Sequence, residues 1–357
     1  MKYRESIEKV KPYVPGKSEE EIKRQYGIEK VIKIASNENP YGPTPKVKEY
    51  ISNLDINIYP DNYVTKLRNK LASYLNIEED MLLFGNGSVE IIQMLSRILL
   101  NKGDNIITEI PSFSSYFSEA MIQGAEIRSI KYNEEYSFNL DEMLDLIDEK
   151  TKIIYLANPN NPLGSAMYYE DILDFISKVP DSVLIVIDEA YMEFVRDEKV
   201  KSCIDVIKDY NNVCVLRTFS KAYGLSALRI GYIVADSEVI LNLEKVRVPF
   251  NVSTISQNSA LIALEEKDYM IEKVHLNHEV IDYVYNALDE LNIEYIKTQT
   301  NFICINVKRD CNEIALELLK KGYIVRGGFP LLDKWIRVSI GTMEDMKGFV
   351  KALSEVI

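Results

Sequence analysis

The chain of 357 residues holds very little histidine, which restricts the chemistry it can perform. Its two histidines, His275 and His278, lie together on one long polar helical stretch. No acidic or cysteine ligand stands at a matching spacing, so we expect this pair to lie on a solvated helix face rather than to bind a metal ion. A histidine-based catalytic triad and a histidine-rich zinc site are both poorly provisioned in such a sequence.

The cysteines and the apolar runs restrict where the protein acts. The four cysteines, Cys203, Cys214, Cys304 and Cys311, include no C-x-x-C pair, and Cys214 and Cys304 lie inside apolar runs, as small core residues usually do. No apolar run approaches the roughly 20 residues of a membrane helix. The N-terminal stretch MKYRESIEKVKPYVPGK lacks the apolar core of a signal peptide. These absences predict a reducing, cytoplasmic setting and no membrane partner.

Positive charge is in deficit along the chain. The 42 lysines and arginines face 55 acidic residues, which gives a net charge of −13. Such a charge argues against nucleic acid or another polyanion as a partner. A small anion can still bind, because a local group of arginines overrides the net charge of the whole chain.

Short apolar runs alternate with amphipathic runs from about residue 80 onwards. The apolar runs that predict strands are MLLFG, NIITEI, EIRSIKY, KIIYLAN, VLIVIDEA, NVCVLRTF and RIGYIVA. The amphipathic runs predict helices over 89–100, 113–124, 140–147, 169–177 and 202–210. Alternation of helices with nearly continuous apolar strands predicts an α/β fold, with a mainly parallel sheet that is covered on both faces.

The pattern changes after about residue 250, which predicts a second, smaller α+β domain. Its expected helices are 254–264, 268–291, 312–321 and a C-terminal one, and its expected strands are NFICINV, YIVRGG and WIRVSI. The first 35 or so residues lie outside the repeating pattern. We therefore expect a large domain at 35–250, and a small domain that combines 251–357 with the N-terminal segment 1–34.

Polar residues follow several of the predicted strands, at the edge where open α/β sheets bind ligands. The turn Gly85–Ser88 (GNGS) leads into a helix, whose first N–H groups attract anions. Glycine also makes turns without binding anything, so this signal is weak alone. The stretch NPNNPLG at 158–164 favours a turn, and its asparagines also offer amide donors.

Two charged residues at strand ends need partners. Asp188 ends the aliphatic run VLIVI, and a buried carboxylate without a partner takes up a proton. Lys221 follows the run CVLRTFS, where an unpaired buried ammonium is costly, and Arg229 comes eight residues later. The VLIVID strand also fits the Walker B strand of a nucleotide hydrolase. The phosphate loop of such enzymes is missing, because Gly16–Ser18 is preceded by Lys11 where that loop requires glycine.

One ligand uses all of these groups, namely pyridoxal phosphate (PLP). Its aldehyde needs a lysine, and its phosphate needs N–H groups, hydroxyls and an arginine. Its pyridine nitrogen needs a buried carboxylate that keeps it protonated, and its ring oxygen needs hydrogen-bond donors. The strand ends therefore predict a PLP site around Lys221, Asp188 and Arg229, since each meets a demand that few other side chains meet.

The motifs of the chain resemble those of fold-type I PLP-dependent aminotransferases of class I/II and, within them, those of the histidinol-phosphate aminotransferases. The matching stretches are KPYVPGK (11–17), IKIASNENPYGPTPKV (32–47), YPD (59–61), FGNGSVEII (84–92), NPNNPLG (158–164), IDEAY (187–191), RTFSKAYGLSALRIGY (217–232), NVSTISQNSAL (251–261) and IRVSIGT (336–342). The resemblance covers nearly the whole chain. It implies exchange of an amino group between L-histidinol phosphate and 2-oxoglutarate, in histidine biosynthesis, through a Schiff base between PLP and a lysine.

The resemblance also implies roles around the cofactor ring. Lys221 would form the Schiff base and shuttle the proton, and Asp188 would hold the N–H of the pyridinium. Tyr191 and Asn161 would bond the ring oxygen, and Phe113 would stack on the face of the ring.

Anionic groups have their own set of implied contacts. The phosphate of PLP would be held by Ser88, Val89, Thr218, Ser220 and Arg229. Tyr59 would reach the phosphate in a neighbouring subunit, which implies a homodimer with shared sites. Arg337 would bind the anionic group of the substrate, and Tyr13 and Arg326 would contact the substrate phosphate.

Some features leave the substrate open. Val89, Leu163, Ala227 and Met343 stand where the family usually has other residues. A threonine-phosphate decarboxylase of the same superfamily is one alternative, although such proteins usually carry an N-terminal HGG where this chain has PYVPGK. An aromatic amino-acid aminotransferase is a second. A protein of the same fold that has lost catalysis and serves as an interaction module is a third, and the intact set of lysine, aspartate and arginine argues against it.

Overall fold

The computed structural model describes residues 1–10, 12 and 19–357. Its α-helices are α1 Glu19–Tyr26, α2 Pro45–Ile51, α3 Thr65–Leu75, α4 Ser88–Leu99, α5 Ser114–Gln123, α6 Asp141–Leu144, α7 Tyr169–Lys178, α8 Ser237–Glu244, α9 Thr254–Glu265, α10 Lys267–Glu290, α11 Cys311–Lys320 and α12 Met343–Ser354. Its strands are β1 Ile32–Lys33, β2 Leu82–Gly85, β3 Asn105–Ile110, β4 Glu126–Lys131, β5 Thr151–Ala157, β6 Leu184–Asp188, β7 Val213–Thr218, β8 Gly231–Ala235, β9 Tyr295–Ile296, β10 Phe302–Asn306, β11 Tyr323–Ile324 and β12 Trp335–Ser339.

A seven-stranded sheet carries the strand ends that the sequence singled out. Its order is β2-β8-β7-β6-β5-β3-β4, and β8 pairs antiparallel with both β2 and β7, whereas the other neighbouring strands pair in parallel. The predicted α/β fold with a mainly parallel sheet is therefore confirmed. Because β5, β6 and β7 are adjacent and parallel, the residues that follow them meet at one edge of the sheet.

Both faces of this sheet are buried. Leu82 and Ile107 belong to an apolar cluster on one face, whereas their neighbours Leu83 and Ile106 belong to a cluster on the other. Successive side chains of a strand point to opposite faces, so a strand that is covered on both sides must be apolar throughout. That requirement explains the unbroken apolar runs in the sequence.

A third apolar cluster lies around a separate antiparallel sheet of order β12-β10-β9. It packs residues of β10 and β12 against α10, α11 and α12. The N-terminal region contacts both parts of the chain. Strand β1 pairs with β11 in parallel, while the Ser6 hydroxyl donates to the carbonyl of Ile122 at 2.8 Å. The division into domains at residues 35 and 250 stays a proposal.

Two predicted helices are shorter in the structure than in the sequence analysis. Of 140–147 only Asp141–Leu144 is α-helical, and 202–210 forms only a short 3-10 helix, Ile204–Lys208. In the second case Ser202 and the N–H of Cys203 donate to the Glu189 carboxylate at 2.7 Å each, which fixes the start of the segment. The buried residues at 204, 206 and 207 also do not follow the spacing of one α-helical face.

Candidate active site

The centre of the site is Lys221, just beyond the end of β7. Its Nζ donates to the carbonyl of Ser36 at 3.0 Å and lies 5.7 Å from the centre of the Tyr191 ring. The residue is half-buried, so part of it stays accessible. Burial and the nearby Arg337 are the main causes that lower the pKa of Lys221 to about 7.

The low pKa of Lys221 has a chemical consequence. Arg229 also lowers it, while the carboxylates of Glu38 and Asp188 oppose the shift. Near neutral pH a substantial fraction of the amine is therefore unprotonated. A neutral amine is the nucleophile that attacks a carbonyl carbon, whereas an ammonium is not.

Asp188 lies beside this lysine at the last position of β6 and is 6% exposed. The Tyr116 hydroxyl donates to its Oδ2 at 2.6 Å, and the N–H of Ala190 donates to its Oδ1 at 3.1 Å. Burial raises the pKa of Asp188, and these hydrogen bonds and the charge of Lys221 work in the opposite direction. A cation placed against this carboxylate would favour its ionised form.

An anion cradle forms where β2 leads into α4. Gly87 has φ +79°, and a Cβ added there would collide with the guanidinium of Arg229. Arg229 itself has a left-handed backbone, with φ +51°, and its Nη1 donates to Ser220 Oγ at 3.4 Å. The first turn of a helix has N–H groups without helical acceptors, and α4 begins at Ser88. Thr218 is buried nearby, and its hydroxyl accepts the N–H of Ser220 at 3.0 Å.

These groups fit PLP in their chemistry. A lysine of lowered pKa suits the aldehyde, a buried carboxylate suits the protonated ring nitrogen, and a helix N-terminus with an arginine and two hydroxyls suits the phosphate. The glycine at position 87 supports this reading, since only its missing side chain leaves room for the arginine.

The three asparagines of the NPNNPLG turn have different tasks. Asn158 and Asn160 are buried and bond the main chain, at Met167 and Pro111 among other residues. Asn161 is half-buried, and its Oδ1 accepts from Arg337 Nη1 at 2.5 Å. Of the three asparagines, Asn161 is therefore the one that contacts Arg337, and its role at the ring oxygen stays a prediction.

Arg337 and Arg326 lie directly opposite each other. Each donates its N–H to the carbonyl of the other, at 3.1 Å from Arg326 and 2.6 Å from Arg337. Opposite residues of an antiparallel pair place their side chains on the same face. Arg337 is buried, and its guanidinium lies over the Phe302 and Phe329 rings at 5.4 and 5.2 Å, whereas Arg326 is exposed.

The remaining predicted residues lie in different places. Phe113 precedes α5, is half-buried and contacts the Tyr116 ring edge-on, with ring centres 5.7 Å apart. Val89 is the second residue of α4, so its main chain lies in the anion cradle. Tyr59 is 80% exposed and stacks on Phe250 at 4.8 Å. Tyr13 lies outside the described residues.

Two residues that hold the site together were not predicted from the sequence. Tyr116 bonds Asp188, and its ring stacks on Tyr155 with centres 4.4 Å apart. Asn37, which lies in the SNENPYG motif, donates from Nδ2 to the Tyr191 hydroxyl at 2.9 Å. Both lie far from their partners in sequence, so only the motif around Asn37 offered a signal.

Other features of the described residues bear on metal binding, membrane insertion and substrate specificity. Among residues 1–10, 12 and 19–357, no three or more His, Cys, Asp and Glu side chains group as a metal site would require. In the same part of the chain, no helix combines the length and apolarity needed to cross a membrane. His278 bonds the carbonyl of Phe194 at 2.9 Å. Of the residues that depart from the family pattern, Leu163 is buried in the core and Met343 begins α12.

Comparisons with known proteins place this arrangement among its relatives. A family model described as aminotransferase class I and II matches residues 29–353. Histidinol-phosphate aminotransferase of Halalkalibacterium halodurans is 43% identical, and histidinol-phosphate aminotransferase 1 of Bacillus cereus is 42% identical. Each alignment covers 100% of this chain and 97% of the relative. The crystal structure of histidinol-phosphate aminotransferase from Sinorhizobium meliloti in complex with pyridoxal-5'-phosphate is similar with a TM-score of 0.91 and 26% identity, over 99% of this chain and 97% of that one.

Proposed function

Because the chain belongs to the class I and II aminotransferase family, we propose that it exchanges an amino group between L-histidinol phosphate and 2-oxoglutarate, in histidine biosynthesis. The names of its full-length relatives, at 42–43% identity, support this substrate. The observation that carries the proposal is the pair Arg326 and Arg337, which lie opposite each other, with the charge of Arg337 close enough to lower the pKa of Lys221. We also propose a cytoplasmic location, which the four free and buried cysteines support.

The chain's own residues would hold PLP in a fixed orientation. Asp188, Tyr191 and Asn161 would bond the ring, Phe113 would cover its face, and Lys221 would bind it covalently. Ser88, Val89, Thr218, Ser220 and Arg229 would hold its phosphate. When bound, PLP supplies an electron sink that makes the Cα–H bond of an amino acid acidic. Lys221 Nζ would then move the proton, because its lowered pKa lets it accept and return a proton near neutral pH.

The two substrates make unusual demands on one site. Glutamate has two carboxylates, whereas histidinol phosphate has a phosphate and no carboxylate. Arg337 offers a planar fork that fits a carboxylate or a phosphate equally well. Arg326 adds the second charge that a dianionic phosphate favours, and its exposure leaves the guanidinium free to reach a larger ligand. Tyr13 would add a neutral hydroxyl.

The Arg326→Ala variant tests the substrate. Losing one charge-assisted contact costs roughly 1.5–3 kcal/mol, so kcat/KM for histidinol phosphate should fall about ten- to a hundredfold. The value for phenylalanine, which has no phosphate, should change far less. The measurement is the amount of glutamate formed from 2-oxoglutarate with a panel of amino donors.

The Arg337→Ala variant should lower the rates of both half-reactions, because the same arginine is expected to bind both substrates.

A matched control uses another exposed arginine. Arg309 forms an ion pair with Glu317 at 3.0 Å and has no predicted contact with the substrate, so Arg309→Ala should leave kcat/KM for both donors unchanged. A wild-type preference for phenylalanine would favour an aromatic amino-acid aminotransferase. Release of carbon dioxide from phosphothreonine would favour the decarboxylase. An unchanged kcat/KM for histidinol phosphate in Arg326→Ala would contradict the role of that arginine.

We further propose that the protein is a homodimer in which Tyr59 reaches the cofactor phosphate of the partner subunit. Tyr59 lies on an exposed apolar surface together with Ile56 and Ile58, and it stacks on Phe250. Exposed apolar surfaces of this kind are usual at protein interfaces. We name the residues Ile56, Ile58, Tyr59 and Phe250 the tyrosine patch.

The Tyr59→Phe variant separates the shared site from the dimer itself. It removes one hydroxyl that bonds an anion, so the Kd for PLP should rise about tenfold or more while the dimer persists. Equilibrium dialysis measures the Kd, and sedimentation measures the mass of the assembly. Tyr63→Phe is the control, because Tyr63 is also exposed and has no assigned contact to the phosphate. A monomeric wild type, or equal effects of the two variants, would contradict the proposal.

A further inference from the structure

Asn37 uses all of its polar groups to join three distant parts of the chain. It is 1% exposed and lies in the segment between β1 and α2. Its N–H donates to Ser339 Oγ at 2.7 Å, and the Ser339 hydroxyl donates back to Asn37 Oδ1 at 2.9 Å. Its carbonyl accepts from Asn301 Nδ2 at 3.1 Å, and its Nδ2 donates to the Tyr191 hydroxyl at 2.9 Å.

These bonds have a fixed direction. Ser339 Oγ accepts the N–H of Asn37 and donates its single proton to Asn37 Oδ1. That bond sets which end of the amide faces Tyr191, and the end that faces it is the NH₂ group. An amide NH₂ only donates. Tyr191 Oη is therefore an acceptor towards Asn37, and its own proton must point elsewhere.

Tyr191 also lies beside Lys221. Its ring lies 5.7 Å from Lys221 Nζ, and the Phe302 ring packs against it edge-on at 5.2 Å. Burial raises the pKa of Tyr191, while Arg337 and the bond from Asn37 lower it in part. The hydroxyl thus keeps its proton near neutral pH and has one hydrogen bond to give.

We propose that Asn37 is a positioning residue that directs the Tyr191 O–H towards the PLP bound at Lys221, where it donates to the ring oxygen. The inference rests on the proposed function, because it presumes that PLP binds at Lys221. It adds a chain of hydrogen bonds from Ser339 through Asn37 to Tyr191. The chain also ties the orientation of one hydroxyl to strand β12, which carries Arg337.

The Asn37→Asp variant reverses the bond. Aspartate tolerates the left-handed backbone of this position, where φ is +56°. Its carboxylate, however, can only accept a hydrogen bond from the Tyr191 hydroxyl, whereas the asparagine amide donates one to it. A hydrogen bond donated to the ring oxygen favours the deprotonated form of the bound cofactor. Loss of this hydrogen bond should raise the pH midpoint of the visible absorbance of the PLP-loaded protein by roughly one to two units.

A double variant separates this route from a direct effect of the new charge. In the Tyr191→Phe background the hydroxyl is absent, so adding Asn37→Asp should shift the midpoint little further. A charge that acted through space would shift it as much as before. Ser339→Ala provides a second route should Asn37→Asp not fold. It removes the hydrogen bond that orients the Asn37 amide, so the pH midpoint should rise by a smaller amount, again only when Tyr191 is present.

Asn301→Ala serves as the structural control. It removes a partner of the Asn37 carbonyl and leaves the bonds to Ser339 and Tyr191 in place, so the midpoint should not move even if the protein melts earlier. A shift equal to that of Asn37→Asp would overturn the proposal, as would a full shift in the Tyr191→Phe background. Wild-type protein with no visible band in the presence of PLP would instead refute the proposed function.

Discussion

Replacing Lys221 by alanine is expected to lower turnover about 10²–10⁴-fold or more, since 10²–10⁴-fold is the range for loss of a positioned acid–base group alone. The variant loses the amine that binds the cofactor covalently and the group that carries the proton. Borohydride reduction followed by mass spectrometry checks this directly. In the wild type it should fix PLP on the peptide that contains Lys221, and in the variant it should fix none.

The pH dependence of cofactor capture follows from the same lysine. Its pKa is lowered to about 7, so the amine loses its proton as the pH rises through that value. The rate at which the apoprotein develops its visible band should therefore rise about tenfold per pH unit below 7 and level off above. For a lysine with an unperturbed pKa, this rate would still be rising with pH at pH 9.

The control for Lys221→Ala uses an exposed lysine at the end of a helix that packs on the same sheet. Lys245 follows α8 and bonds Asn242 at 2.8 Å, so Lys245→Ala should keep full activity and the covalent label. Label recovered on another peptide of the wild type, or a Lys221→Ala protein that still turns over normally, would remove Lys221 from the proposed mechanism.

The fold and the site were predictable to different degrees, for physical reasons. Strands β5, β6 and β7 stood out because a strand that is buried on both faces must be apolar throughout. Lys221 and Asp188 stood out because charged side chains at the ends of such strands need partners. The lengths of two short helices were overestimated. For the segment 202–210, Glu189 fixes the start through contacts with residues that lie 13 and 14 positions away in sequence.

Long-range partners account for what the sequence could not provide. Tyr116 and Asp188 are 72 residues apart, and Asn37 and Ser339 are 302 residues apart. No local pattern encodes such pairs. The opposed positions of Arg326 and Arg337 likewise depend on a bridge between β12 and the chain after β11, although the resemblance had already assigned both to the substrate.

The Asp188→Asn variant is expected to bind PLP and yet to lose about 10²–10³-fold in turnover, as is typical when one preorganised electrostatic contact is removed. Asparagine keeps the shape of the side chain and can still accept the N–H of Ala190, as Asp188 Oδ1 does. It lacks the negative charge that would hold a proton on the ring nitrogen. The anion cradle at Arg229 and the amine of Lys221 remain, so affinity for the cofactor should change much less than kcat.

Glu109→Gln is the matched control for Asp188→Asn. Glu109 is a fully buried carboxyl on strand β3 of the same sheet, two strands from β6, where it accepts the N–H of Ala157 at 3.1 Å. Burial raises the pKa of Glu109 to about 7, so it is already partly neutral near that pH, and the side-chain oxygen of glutamine can still accept the N–H of Ala157. Its kcat should therefore stay near that of the wild type. Near-normal kcat in Asp188→Asn, or an equal loss in both variants, would show that the Asp188 charge does not sustain the reaction.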